Sequence, residues 1–475
     1  MAGIVSYGTY IPKYRIKREE IAKAWGGHAT GENSAAYLNE DIYTMAAEAS
    51  SNAIECSAID REYIDAIYLA TDSAPYIEHT LVRAIGDILR LREDLDVADF
   101  AASPRAGATA LKACLDAINS GRIRYGLVIA ADCRPFAPGS PEEMAFGAGA
   151  AAYILGPVGT TAEVETIHTY STYFLDRWRP SEGRFTQTHE PRFTREYGYS
   201  AHVINAAKGF MEKANLTMAD FQHVVCQQPP EDRLLKSIAR TLSISSQQMG
   251  APIGPSIGDA GAASTFLSLA TALDKAKPKE RILALFYGTG ISDALNIVVN
   301  NGTEQPKGAE RSIQYYLDNK EYIDYLTLAK LKGNIDTAEK PAKMWVTPTS
   351  PIWWRDGVVL RRLLGARCRQ CGYVNFPPTL RRICIRCGNT SFDEVLLSRK
   401  GRVHTYCVNI YVPHGLESPL PVIIADMDDG VRYKGLGTEM KLEEIEVGTP
   451  VELVWRKIGS EDSVNAYSYV FRTLK

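Results

Sequence analysis

Residues Val97–Cys114, VADFAASPRAGATALKAC, read as a short apolar strand, a loop of small residues and a helix. A second stretch has the same character: VVCQQPP (224–230) ends a strand, and IGDAGAAS (257–264) opens the helix STFLSLATALDKAK. Working outward, each stretch sits in a matching run of elements. In the first half a helix (MAAEASSNAIE, 45–55) leads to the strand IYLATDS, then to the loop, the helix AGATALKACLDAINSG and the strand YGLVIAAD. In the second, the helix HVINAAKGFMEKA leads to VVCQQPP, then to the loop, its helix and the strand RILALFYGTG. Amphipathic helices alternating with short apolar strands predict an α/β domain with a buried sheet. Strands are expected at Ala66–Thr71, Gly126–Ala131, Val224–Gln227 and Ile282–Phe286. The repeat predicts a duplication, with one strand end and one helix start from each half lining a common site. Gly, Ala and Ser in both loops permit close backbone approach.

The chain has 475 residues, too many for one ordinary core, so two or three domains are expected. A net charge of −3 gives no global attraction to nucleic acid or membrane. The opening MAGIVSYGTYIPKYRIKREE lacks a charged region followed by an apolar run, and no run of about 20 apolar residues occurs, so a cytoplasmic location is expected.

Beyond Asn300 the polar NNGTEQPKGAE reads as a boundary, and YYLDNKEYIDYLTLAKLKG (315–333) as a helix packing back on the first domain. A second linker, DTAEKPAKMWVTPTSP, precedes Cys368, Cys371, Cys384 and Cys387. Their spacing, C-x2-C-x12-C-x2-C, suits four thiolates around one structural Zn²⁺. The other five cysteines (Cys56, Cys114, Cys133, Cys226, Cys407) stand singly in apolar contexts, as reduced packing residues do. Strand-like runs after Cys387 (RVHTYCVNIYV, PVIIADM, RYKGLG, TPVELVWR, NAYSYVFRTL) fit a small OB-type barrel. The expected domains are 1–160 and 161–335 for the two halves, 336–392 for a helical linker and zinc ribbon, and 393–475 for the barrel.

Several motifs together carry a resemblance: EGRFTQTHEPRFT, HVINAAKGFMEKANLTMADF, GAGAAAYILG, GTGISDAL and YYLDNKEYIDYLTLAK. Through about residue 335 the chain resembles 3-hydroxy-3-methylglutaryl-CoA synthase of the archaeal type. The resemblance implies a duplicated thiolase fold, layered αβαβα, and an acyl-CoA thioester as substrate. The last 120 or so residues resemble the zinc-ribbon and OB-fold module that accompanies thiolases, through the four cysteines, Asn375-Phe376-Pro377-Pro378 and GRVHTY.

That family uses a cysteine nucleophile, a histidine and a glutamate. The resemblance sets Asp72 in the glutamate's place, Ser103 or Pro104 in the cysteine's and Gln227 in the histidine's. Aspartate keeps the charge but is a methylene shorter; serine needs a base to attack; glutamine does not titrate. Ordinary acyl-cysteine chemistry is therefore not expected. Asp72, Ser103, Gln227 and Tyr287 are the candidate catalytic residues, with Tyr76, Cys133 and His202 as weaker ones. Lys208, Arg105, Gly107 and Gly261 are the candidates for holding CoA, through cations and helix-start amides. Seven arginines surround the cysteine cluster (Arg361, Arg362, Arg367, Arg369, Arg381, Arg382, Arg386); they suit CoA phosphates or a protein partner, and without a stacking stripe nucleic acid is not expected. By resemblance the partners are a second copy of the first domain and a thiolase. Two functions remain: carbon–carbon bond formation or cleavage in a CoA thioester without an acyl-cysteine, by acyl transfer or retro-aldol chemistry, or a non-catalytic CoA-binding or scaffold subunit.

Overall fold

The computed structural model describes residues 2–229, 231–300, 311–335, 350–378, 382–412, 418–461 and 463–474. The chain divides into two compact units, one from most of residues 1–336 and one from 337–475 together with 38–40 and 87–90.

The first unit is built on nine strands: β1 (Gly3–Tyr10), β2 (Ile64–Ala70), β3 (Asp96–Phe100), β4 (Tyr125–Asp132), β5 (Gly149–Gly156), β6 (Ala162–Ser171), β7 (His223–Cys226), β8 (Arg281–Gly288) and β9 (Ile291–Val299). Their order across the sheet is β7-β8-β9-β6-β1-β5-β4-β2-β3. Read from the middle, β1-β5-β4-β2 repeats as β6-β9-β8-β7, and the two halves join where Gly3 and Ile4 pair with Glu163 and Ala162. Pairing senses repeat as well: β2–β4 and β7–β8 are parallel, β4–β5 and β8–β9 antiparallel. The duplication is thus a property of the sheet.

Helices cover the strands because their apolar residues leave no face for water. In α1 (Ile42–Glu55) twelve of fourteen residues are buried, the pattern of a helix enclosed on nearly all sides. A capping box starts it, with the Asp41 carboxylate accepting from Tyr43 N and Thr44 N at 3.0 Å. The loops singled out in the sequence open α2 (Ala106–Asn119) and, through Gly261–Ala263, α4 (Ser264–Leu273); α3 (Ala201–Ala214) precedes β7. At the start of α2, a Cβ on Gly107 would lie 3.1 Å from the Ala262 carbonyl oxygen, so the helix starts of the two halves meet backbone to backbone.

One expectation fails. Residues 315–333 are not one helix but a helix (Ile313–Asp318), a three-residue strand (Glu321–Ile323) and a second helix (Tyr325–Leu331). Glu321–Ile323 pairs in parallel with Tyr14–Ile16, Lys320 and Tyr322 both bond the Glu32 carboxylate, and Asp324 caps the new helix by accepting from Thr327 N at 2.6 Å. A tertiary strand partner and a competing N-cap outweigh the helical periodicity.

In the second unit a helix, α5 (Ser350–Arg362), precedes a three-stranded ribbon of Leu364–Cys368, Val374–Asn375 and Phe392–Leu396. A five-stranded antiparallel sheet follows (Lys400–Asn409, Leu420–Met427, Arg432–Leu436, Pro450–Glu461, Val464–Thr473). It curls until Gly437 bridges Phe471, closing a small barrel around Ile423, Ala425, Val451 and Phe471.

Gly8 sits where β1 crosses α1, and a Cβ there would lie 2.3 Å from Ala53 N and 2.4 Å from the Ala49 carbonyl oxygen. Gly8→Ala is expected to cost about 1–3 kcal/mol by overpacking, seen as a lower melting temperature in calorimetry; an unchanged melt would contradict this packing.

Candidate active site

Strand β4 is apolar until its last residue, Asp132, which is fully buried. A buried carboxylate must be hydrogen-bonded, and Asp132 accepts four such bonds. Oδ1 takes Thr71 Oγ1 (2.9 Å), Asp72 N (2.8 Å) and Ser73 Oγ (2.6 Å), and Oδ2 takes Ala262 N (2.7 Å). Burial, and then the charge of Asp72, push its carboxyl up to about 6, with Arg134 and the donors opposing. Gly261 is part of the same junction: its φ is +56° and a Cβ would lie 2.2 Å from Asp132 Oδ2. Asp72 is fixed through its backbone, since its carbonyl also accepts from Arg179 Nη2 at 3.0 Å.

Pro104, Asp176, Arg177, Gln227, Asp259 and Tyr287 are among the residues lining one small cleft. Of the loop before α2, Pro104 is the residue on the cleft wall. The Ser103 hydroxyl instead lies over Gly288, where a Cβ would come within 2.2 Å of it, and has Thr289 Oγ1 and Arg105 N at 3.4 Å. Neither neighbour is a base. Gln227 lines the cleft with its amide already engaged: Nε2 donates to the Gly261 carbonyl and Oε1 accepts from Thr265 Oγ1, both at 2.8 Å. Tyr287 donates its hydroxyl to Asp176 Oδ2, and burial, followed by that carboxylate's charge, pushes the phenol far up.

Sequence reasoning missed Asp176 and Asp259. Burial alone would raise the Asp259 carboxyl, but Arg134 (2.5 Å) and Arg177 (3.7 Å), with Ser264 Oγ and Gly261 N, hold it below the ordinary range. Arg134 lies face-on over Phe146, 3.8 Å from the ring centroid. Asp176 is 4% exposed, and its Oδ1 has no hydrogen-bond partner among the described residues. The available signal was an acidic residue set among aromatics in TYFLDRW.

The weaker candidates have structural partners. His202 is buried, with Nδ1 2.6 Å from the Gly198 carbonyl oxygen and Nε2 2.7 Å from Thr172 Oγ1. Tyr76 packs edge-on against His79, and Cys133 N donates to Ser73 Oγ at 3.0 Å. Of the residues expected to hold CoA, Arg105 is paired with the buried Asp293 (2.9 Å), which Lys112 and Thr169 also bond. Lys208 is exposed on α3, and Gly107 lies in the first turn of α2.

In the ribbon the four sulfurs of Cys368, Cys371, Cys384 and Cys387 lie within 4.8 Å of one another, with Sγ–Sγ distances of 3.5 Å (368–387) and 3.6 Å (371–384). Tetrahedral Zn²⁺ with bonds of about 2.3 Å sets its sulfurs about 3.8 Å apart, so the donor set fits. Burial works against ionisation of Cys384, yet the N–H groups of Arg386 and Cys387 and the neighbouring thiols bring it down to about 6. Arg369 pairs with Asp393 at 2.6 Å, Arg367, Arg382 and Arg386 are exposed, and Arg381 lies outside the described residues.

The hydroxymethylglutaryl-CoA synthase of Methanocaldococcus jannaschii is 39% identical over 347 residues, which span 70% of this chain and 99% of that protein. This chain belongs to the hydroxymethylglutaryl-CoA synthase family. The synthase of Methanothermobacter thermautotrophicus is 38% identical over 71% of this chain and 100% of its own length. Among solved structures, an HMG-CoA synthase complexed with CoA superposes with a TM-score of 0.64 at 17% identity, covering 74% of this chain and 95% of that one. At that identity the likeness shows the fold alone. Residues 211–298 match the C-terminal domain model of 3-oxoacyl-[acyl-carrier-protein] synthase III, residues 355–393 the ChsH2 rubredoxin-like zinc ribbon, and residues 394–456 the ChsH2 C-terminal OB-fold domain. The synthase-family unit therefore has the thiolase-like fold and is joined in one chain to a zinc ribbon and an OB barrel. No helix among the described residues is long and apolar enough to cross a membrane.

Two outcomes are expected. The unfolded Asp132 carboxyl titrates near 3.8 and the folded one near 6, so between those values the folded chain keeps a proton that the unfolded chain has released, and rising pH costs stability. Asp132→Asn removes that slope: in urea melts, the wild-type stability minus that of the variant should fall as pH rises to about 6 and then level off, whereas a constant difference would refute it. Metal analysis of the purified chain should return one zinc per chain, lost in Cys371→Ser together with the ribbon's fold; a folded, metal-free ribbon contradicts the assignment.

Proposed function

We propose that this chain forms or breaks a carbon–carbon bond beside the thioester carbonyl of an acyl-CoA without passing through an acyl-enzyme. One observation carries the reading: in a member of the synthase family, the cleft wall at the start of α2 is Pro104, which has no nucleophile. The fold and the curated relatives' names support the acyl-CoA substrate class and the carbon–carbon bond chemistry. Tyr287 and the cleft carboxylates offer proton transfer, which aldol-type steps need. Helix-start amides near Gly107 suit an enolate oxygen, and exposed Lys208 suits a CoA phosphate. Zinc acts structurally, holding the ribbon. Strand β3 lies at the sheet margin with β2 as its neighbour, and an open edge of that kind suits pairing with a second copy.

A second reading, a CoA-binding subunit without catalysis that works beside a thiolase, is favoured by Gln227, whose amide nitrogen and oxygen are each bonded within the protein. The two separate on one experiment. The full chain, alone and with co-purifying proteins, is incubated with a panel of acyl-CoAs and 3-hydroxyacyl-CoAs, with products and protein adducts followed by mass spectrometry. Turnover by the chain alone with no acyl group on Ser103 is expected. An acyl-Ser103 adduct overturns the mechanism, and turnover that appears only with a partner protein supports the second reading.

A further inference from the structure

Of the buried carboxylates around the cleft, Asp132 and Asp259 have both oxygens occupied by donors from the protein. Asp176 differs. It is 4% exposed and lines the cleft; Oδ2 accepts the Tyr287 hydroxyl, and Oδ1 has no partner among the described residues. An unmatched buried carboxylate oxygen is costly, and such a group in a native fold calls for an explanation. Next in sequence, Arg177 lines the same cleft, mostly buried, 3.7 Å from the Asp259 carboxylate. Pro104 adds an apolar wall to the same cleft. The cleft therefore combines a buried carboxylate oxygen without a donor, a phenol fixing the other oxygen, a guanidinium for developing negative charge, and no cysteine.

We infer that Asp176 Oδ1 is the proton-transfer atom of this cleft, oriented by Tyr287, and that the substrate is a 3-hydroxyacyl thioester whose hydroxyl donates to it; this rests on the carbon–carbon bond chemistry proposed above. In the cleavage direction the Asp176 carboxylate removes the hydroxyl proton. The oxygen's electron pair forms the new C=O bond, and the C2–C3 bond breaks. Its electrons pass to C2 and the thioester oxygen as an enolate, beside Arg177. The protonated Asp176 then returns its proton to C2. A 3-hydroxyacyl thioester becomes an aldehyde or ketone and a shortened acyl thioester, and no oxidant or co-reactant is consumed. In the reverse direction the same oxygen abstracts the C2 proton of the acyl thioester.

That reverse half-reaction provides the test. The full chain is incubated in D2O with acetyl-CoA or propionyl-CoA, and exchange of the C2 protons is followed by NMR. Wild type should exchange; Asp176→Asn, which keeps the side-chain shape and an oxygen for Tyr287, should exchange at least about 100-fold more slowly while binding the thioester as before. Tyr287→Phe removes a donor to the carboxylate and should move the acidic limb of the exchange-rate pH profile upward, a change that a packing role would not produce. Exchange by Asp176→Asn at the wild-type rate overturns the assignment and leaves the carbon–carbon reading intact. No exchange by a wild-type chain that binds these thioesters overturns that reading itself. Should Asp176→Asn fail to fold, an unmoved acidic limb in Tyr287→Phe overturns the assignment.

Discussion

The first unit depends on one buried carboxylate. Asp132 ends β4 in the interior and collects donors from two places far apart in the chain: the segment Thr71–Ser73 after β2 and the amide of Ala262 ahead of α4. A carboxylate in that position is costly unless all its acceptor sites are filled. Its demand therefore fixes the strand end of one half against the helix start of the other. Gly261 follows from the same demand, because any side chain there would occupy the space of Oδ2. The cleft forms beside this junction, and the placement of Gln227, which bonds the Gly261 carbonyl, is set by it.

Charge around the cleft is arranged in opposed pairs. Arg134 and Arg177 face Asp259, while Arg105 and Lys112 face Asp293. Both carboxylates are almost wholly buried, and each is compensated by more than one cation. Pairing of this kind keeps buried ions charged, but removing one partner would strand the other. Such groups hold the walls in place, which is why Arg105, a good phosphate ligand by type, is employed structurally. Asp176 does not follow this pattern: one of its oxygens accepts from a phenol.

Much of this was legible in the sequence, where the determinants are local. The apolar runs of β2, β4, β7 and β8 and the small residues before α2 and α4 reveal the duplication, because a buried strand cannot carry charge and a close helix start cannot carry bulk. The cysteine spacing reveals the ribbon for the same reason. What escaped has partners distant in sequence. Nothing within Glu321–Ile323 announces that it will pair with Tyr14–Ile16, so the helical pattern of 315–333 misleads. Asp176 lies 111 residues from Tyr287, and Asp132 lies 130 from Ala262. A carboxylate's importance at such sites comes from being buried, which composition around it indicates only weakly. Residue 72 is by type an acid at a strand end, and the contacts that anchor it are made by its backbone, while the adjacent strand supplies the buried acid Asp132.

Ser103 and Pro104 offer no thiol at the start of α2, and this bears on the mechanism proposed above. An acyl-cysteine route needs a low-pKa sulfur, a titrating partner and room for a tetrahedral intermediate at the helix start. With proline there, φ is fixed near −65° and no N–H is offered at that position, so the loop contributes shape. With Gln227 tied to Gly261 and Thr265, the opposite wall contributes shape as well. In the proposed mechanism proton transfer is therefore assigned to the cleft's acids, where burial raises the energetic stake of each charge. On the mechanism proposed above, a cleft with apolar and amide sides and one incompletely satisfied carboxylate works by acid–base chemistry, and its reactions are those in which a proton is the only thing the protein must carry.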